Sequence, residues 1–312
     1  MKTIFAFALG LALVFGAVKA SGQGKKAFIV RNASEGPRVM AESGLLDLLR
    51  RNGFAAAGVE TIKLTPAEEK EYGAWNRSAL ENSHIGRLVS AHLLNEGLTI
   101  GLLTNCVDVL GMLAGLQHLG PPVPKSLRVG LIYLDAHADF NTPETTLSGM
   151  LGGMDVAIAA GVCLSRLRLK VGLDPALPTR YIVFGGLRDV DPLEQELLDR
   201  SDAAYLSVDD LRHASSKIDS EMDRLGRLTE VIYVHIDMDV LDPNEVRGHS
   251  LSVPEGPTSR ELAASVERMF RHPKTGAIGI ASLPFGERDK DGVSLKAAYR
   301  LIEGALKGYR SR

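Results

Sequence analysis

Eight short apolar runs recur along this chain, and none of them alternates polar with apolar residues. They are Ala27–Val30, Val59–Leu64, Leu98–Leu103, Val129–Leu134, Tyr181–Phe184, Ala204–Val208, Val231–Ile236 and Ala277–Ala281. Runs rich in Val, Ile and Leu without alternation suit strands covered on both faces, as in a parallel sheet. Between them lie helical patterns at Val39–Arg51, Ile85–Glu96, Asp108–His118, Ser259–Arg271 and Ser294–Lys307. Strand–helix alternation predicts a three-layer α/β/α fold with a parallel sheet of about eight strands. No Pro/Gly/Ser-rich linker divides the pattern, so residues 21–312 read as a single domain. In such sheets, ligands bind beyond the carboxyl ends of the strands, and chemistry is expected just after the apolar runs.

The beginning of the chain reads differently. Met1-Lys2 precedes an apolar run from Ile4 to Val18, followed by Lys19-Ala20-Ser21. A basic start, a short apolar stretch and small residues fit a secretory signal peptide over residues 1–20, and hence export to a periplasmic or extracellular space. The run is short for a membrane-spanning helix, which needs about 20 apolar residues, so no membrane association is expected after cleavage. Net charge is -2 over 312 residues, which leaves no basic footprint for nucleic acid. The expected partner is a small molecule, and a homo-oligomer stays open. The two cysteines, Cys106 and Cys163, are compatible with a disulfide after export or with two free thiols.

Two run ends carry unusual residues. Val129–Leu134 leads into Asp135-Ala-His137-Ala-Asp139, and Val231–Ile236 leads into Asp237-Met-Asp239. If the strands continue, alternate side chains share a face, which would gather Asp135, His137 and Asp139 on one and Asp237 and Asp239 on the other. Four carboxylates and an imidazole at buried strand ends cannot all be charged and unpaired. Divalent cations resolve the conflict, and an oxygen-rich set with one His suits Mn²⁺, with Zn²⁺, Fe²⁺ or Ni²⁺ as alternatives. Shared carboxylates would hold two ions about 3.5–4 Å apart. The competing reading is solvated acids in capped turns. His235 is read as a satisfied core histidine, and His249 as a surface-loop histidine.

These segments resemble known motifs. Asp135-Ala-His137-Ala-Asp139-Phe-Asn141-Thr-Pro143, Asp237-Met-Asp239-Val-Leu-Asp242-Pro243, Glu35-Gly36-Pro37 and Gly186-Leu187-Arg188-Asp189-Val190-Asp191-Pro192 are similar to segments of the ureohydrolase family of arginases, agmatinases and formiminoglutamases. The chain would be a divergent member. The resemblance implies a metal-dependent hydrolase of linear C–N bonds of the guanidino or amidine type, working by attack of a metal-bridging hydroxide. It implies two divalent ions, Mn²⁺ foremost, with Asp135 and Asp237 bridging, Asp139 serving one ion, and His137 and Asp239 the other. Asp239, Asp135 and Asp237 would carry the catalysis. Asn141, Thr146 and Ser148 would hold a substrate α-carboxylate, and Asp191 its α-amino group. The alternative is a silent metal- or amino-acid-binding protein on the same fold.

Three positions depart from that family's pattern. Cys106 stands where a ligating His is expected; a thiolate can also ligate, and a helix N-terminus would lower its pKa. Gly152 stands where the family carries a proton-shuttling His, and Ala281 where it carries a Glu that grips the guanidinium. The amino-acid end of the site is retained and the guanidinium end stripped, so L-arginine is expected to be a poor substrate.

Overall fold

The computed structural model describes residues 25–92, 97–119 and 126–312. The proposed signal peptide lies outside these residues. Eight strands form one sheet: β1 (Lys25–Asn32), β2 (Phe54–Ile62), β3 (Gly97–Leu102), β4 (Val129–Leu134), β5 (Ile182–Gly185), β6 (Ala204–Leu206), β7 (Val231–Asp237) and β8 (Thr275–Ala281). Their order is β2-β1-β3-β8-β7-β4-β5-β6, and every pairing is parallel. The expected eight-stranded α/β/α fold is therefore present.

Both faces of the sheet are covered. On β7, Ile232, Val234 and Ile236 enter one apolar core, shared with helices Ser216–Leu228, Ser259–Arg271 and Val293–Arg310. Val231 and Tyr233 enter the opposite core, under helices Ala74–Ser90 and Val109–Gln117. Every residue of β4 and β7 is buried, which explains why these runs lack alternation.

β2 begins five residues before its expected start. It is an edge strand whose exposed stretch Ala55–Gly58 holds no Val, Ile or Leu, so only its end, from Val59, falls in a run rich in those residues. The first helix opens at Glu35, four residues early, and is kinked where Gly44 takes φ 123°. A left-handed conformation there suits glycine, which lacks a Cβ.

The sheet order sets the site. β4 and β7 are central neighbours, paired Leu134 with Ile236. Asp135 and Asp237 therefore leave the sheet side by side, at its carboxyl edge. β8 flanks β7 on the other side and pairs Ala281 with Asp237.

Candidate metal centre

The acids converge through turns, not through continued strand alternation. β4 ends at Leu134, and Asp135 Oδ1 accepts the His137 N–H at 2.7 Å. Asp237 Oδ1 likewise accepts the Asp239 N–H at 2.9 Å, closing a 3-10 turn over Met238–Val240. The two strand ends thus use the same local device, an Asp side chain bonding the backbone two residues on. Asp139 adopts φ 48°, a left-handed conformation uncommon for a residue with a side chain. Its carboxylate accepts the Tyr133 hydroxyl at 2.5 Å.

These side chains form the floor of a pocket of about 250 Å³. Asp135 is 1% exposed, Asp139 7%, Asp237 1% and Asp239 2%. Burial, then the charge of Asp237, raises Asp135, and burial, then Asp135, lifts Asp139 well above the carboxylate range. Asp237 and Asp239 are pushed up to about 6, by burial first and then by Asp239 and Asp135 respectively. Burial alone would lower His137. Its Nδ1 lies 3.3 Å from Asp135 and 3.2 Å from Asp239, and these contacts outweigh burial and lift it to about 11. One imidazolium cannot neutralise four carboxylates. The ligand-type atoms of Cys106, Asp135 and Asp139 lie within 4.8 Å of one another, as do those of Asp135, His137 and Asp239, and those of Asp237, Asp239 and His249. Carboxylate, imidazole and thiol donors at that spacing suit two divalent transition ions.

Cys106 does enter the floor. The Asn105 capping box turns the chain after β3, and the Cys106 thiol donates to Asp237 Oδ2 at 2.6 Å. The expected lowering of its pKa is not found. Withdrawal from bulk water, and next the charge of Asp237, push the thiol well up, which overrides a helix terminus of a single 3-10 turn. Cys106 and Cys163 are both free. Cys163 lies behind Asn141, 4.0 Å from its carbonyl oxygen, so the disulfide alternative falls away.

The expected substrate residues divide. Asn141, Ser148 and Asp191 line the pocket, and Asn141 Nδ2 donates to Asp191 Oδ2 at 3.1 Å. Thr146 is not on the lining. Its hydroxyl accepts the Gly149 N–H at 3.1 Å and lies 3.4 Å from the Ser148 hydroxyl, so it braces the turn that carries Ser148. Gly152 faces the pocket with open space where a Cβ would stand. Ala281 is fully buried at the end of β8.

His235 is a core residue, as expected. It stacks on Tyr133 at 5.1 Å, bonds the Tyr233 hydroxyl at 2.8 Å and is pushed down to about 3 by burial. His249 is not a surface histidine. Its ring is 10% exposed, and Nε2 lies 3.7 Å from Asp237 Oδ1. Ser282 was missed altogether: its hydroxyl donates to Asp237 Oδ2 at 2.5 Å. Neither residue carried a signal in the sequence, since both sit in irregular loops without periodicity. Arg188 belongs to the segment Gly186–Pro192. It ties the site to the loop after β7, bonding the Asp239, Val253 and Pro254 carbonyls at 2.9, 3.0 and 2.9 Å.

Comparison with known proteins agrees with this geometry. Residues 109–283 match the model of the Arginase family, a span that holds both aspartate motifs and opens just after Cys106. An arginase of Neurospora crassa is 30% identical over 243 residues, covering 72% of this chain and 66% of its own length. The crystal structure of an arginase from Bacillus cereus superposes with TM-score 0.78 at 20% identity, covering 91% of this chain and 99% of that one. The formimidoylglutamase of Bacillus subtilis superposes with TM-score 0.67 at 15% identity, covering 93% and 88%. Motifs, topology and family match coincide, and the chain belongs to the arginase family of hydrolases.

Proposed function

We propose that this protein is a two-metal hydrolase of linear C–N bonds of the amidine type and their neutral relatives, with manganese the expected metal. One observation carries the reading: seven ligand-type side chains, His249 among them, converge on a buried floor whose four carboxylates outnumber the one imidazolium of His137. Cys106, Asp135, Asp139 and Asp237 would hold one ion. Asp135, His137, Asp237 and Asp239 would hold the other, with Asp135 and Asp237 shared. When bound, such ions supply Lewis acidity and bring water ionisation toward neutral pH.

The chain's own residues do the rest. Asn141 and Ser148 offer donors, and Asp191 an acceptor, to the amino-acid end of a substrate. Asn141 gives one of its two amide N–H groups to Asp191 at 3.1 Å, which fixes the pair and leaves the second N–H for a ligand. Thr146 acts only through Ser148. Position 152 carries no side chain, so the proton for the departing amine falls to Asp239, whose Oδ2 lies 3.2 Å from His137 Nδ1, or to water. Ala281 offers a guanidinium no carboxylate. Losing one charge-assisted hydrogen bond costs about 1.5–3 kcal/mol, roughly one to two powers of ten in affinity, so L-arginine should be a poor substrate.

Elemental analysis after manganese reconstitution, followed by an ammonia- and urea-release screen on guanidino and amidine compounds, tests this reading. Two ions per chain and release from at least one compound are expected. A chain that keeps no metal refutes it. Metal uptake without any release would favour the silent binding protein, a reading supported by the stripped positions 152 and 281.

A further inference from the structure

The loop after β7 brings His249 onto the pocket lining, and its ring is held in one orientation. The His249 N–H donates to the Val246 carbonyl at 3.0 Å, and the Ser252 hydroxyl donates to the His249 carbonyl at 2.8 Å. Ring atom Nδ1 accepts the Leu251 N–H at 3.3 Å. An imidazole nitrogen that accepts is bare, so the ring N–H stands at Nε2. Nε2 is the atom that faces the floor, 3.7 Å from Asp237 Oδ1. That distance is too long for a direct hydrogen bond, which leaves the N–H available to a ligand. Arg188 fixes the base of the same loop through Val253 and Pro254.

We propose that His249 reads the reacting group of the substrate and selects neutral groups bearing an acceptor atom, the ureido or amide class, over cationic guanidino groups. The proposal rests on the two-metal hydrolase reading and narrows its substrate class. A guanidinium carries five N–H donors and no acceptor. Against His249 it sets donor against donor, and at the β8 end the pocket lining offers it the Ser282 hydroxyl and no carboxylate. A ureido group of the same shape presents a carbonyl oxygen, which accepts from Nε2–H. His249 lies within ligand distance of Asp237 and Asp239, but a neutral ring bound to metal at Nε2 would carry its proton on Nδ1, against the Leu251 N–H.

L-Citrulline and L-arginine are near-isosteric and differ in one atom at the reacting carbon, an oxygen for a protonated nitrogen. Calorimetric titration of both into the metal-loaded protein, with release of amine and ammonia followed in parallel, tests the proposal. L-Citrulline should bind about tenfold or more tighter than L-arginine. His249→Ala should erase that preference with two ions still bound and melting temperature unchanged, and His249→Gln, which keeps a donor, should restore part of it. Equal or tighter binding of L-arginine, a preference that survives in His249→Ala, or binding of neither compound would overturn the proposal. Loss of one ion in His249→Ala would also overturn it, because the ring would then be a ligand. A native chain without metal would fail the parent reading and this one together, whereas a metal-loaded chain that ignores L-citrulline fails this one alone.

Discussion

At position 106 a thiol occupies a site whose other donors are carboxylates and an imidazole. In the metal-free chain it is protonated and donates to Asp237, and a bound cation would take the place of that proton. Cobalt-substituted protein should therefore show a thiolate charge-transfer absorption band, and Cys106→Ser should lack it. A native spectrum without the band would remove Cys106 from the ligand set. The two stripped positions differ in how they accept repair. A Cβ at Gly152 meets nothing within 4 Å, so Gly152→His should leave stability within about 0.5 kcal/mol, as surface substitutions do. Ala281 is fully buried, and Ala281→Glu should cost about 1–3 kcal/mol from overpacking before any gain in binding a guanidinium. Thermal denaturation of both variants checks the contrast. The five Asp and His residues were legible because each follows an apolar strand and gathers with others at short spacing. His249 and Ser282 were not, because a loop residue has no period and its place depends on the fold of distant segments. Thr146 shows the converse: a residue in the right motif whose hydroxyl is spent on its own turn.

At the scale of elements, the site is the join between the ends of β4 and β7. Asp135 and Asp237 emerge as register neighbours, so each is placed to be shared. Asp237→Ala should remove both ions and not one, read as metal per chain after reconstitution. Retention of one ion would mean that Asp237 is not shared. The same strand ends set a pH dependence. Folding raises Asp237 and Asp239 to about 6 and His137 to about 11, in each case above the ordinary value. The metal-free fold therefore holds protons that the unfolded chain gives up. The stability they contribute is whole at acid pH, and it is lost as pH rises through about 6 for the acids and through about 11 for the imidazole. Metal uptake releases those protons. The gain in melting temperature on adding manganese should widen from about pH 5 to about pH 8, and a constant gain would contradict the assignment. Strand number and parallel order were legible from composition, since strands buried on both faces must be apolar throughout. The start of β2 and the ligand turns were not: the exposed stretch Ala55–Gly58 holds no Val, Ile or Leu, and turns after Leu134 and Asp237 replace the alternation that a longer strand would have given.

For the molecule as a whole, strand order and chain order disagree most at the centre. β7 lies between β4 and β8, yet two strands and several helices separate β4 from β7 along the chain. Contacts between segments far apart in sequence close slowly, because chain entropy is lost before the contact gives anything back. Neither Asp135 nor Asp237 alone makes a site, so the ion pair has nowhere to bind until the middle of the sheet has assembled. The metal centre then serves as a clock for the last long-range step. During refolding from denaturant, recovery of helical circular dichroism should run ahead of cobalt uptake, and the lag between them measures how long the chain waits for its two distant halves to meet.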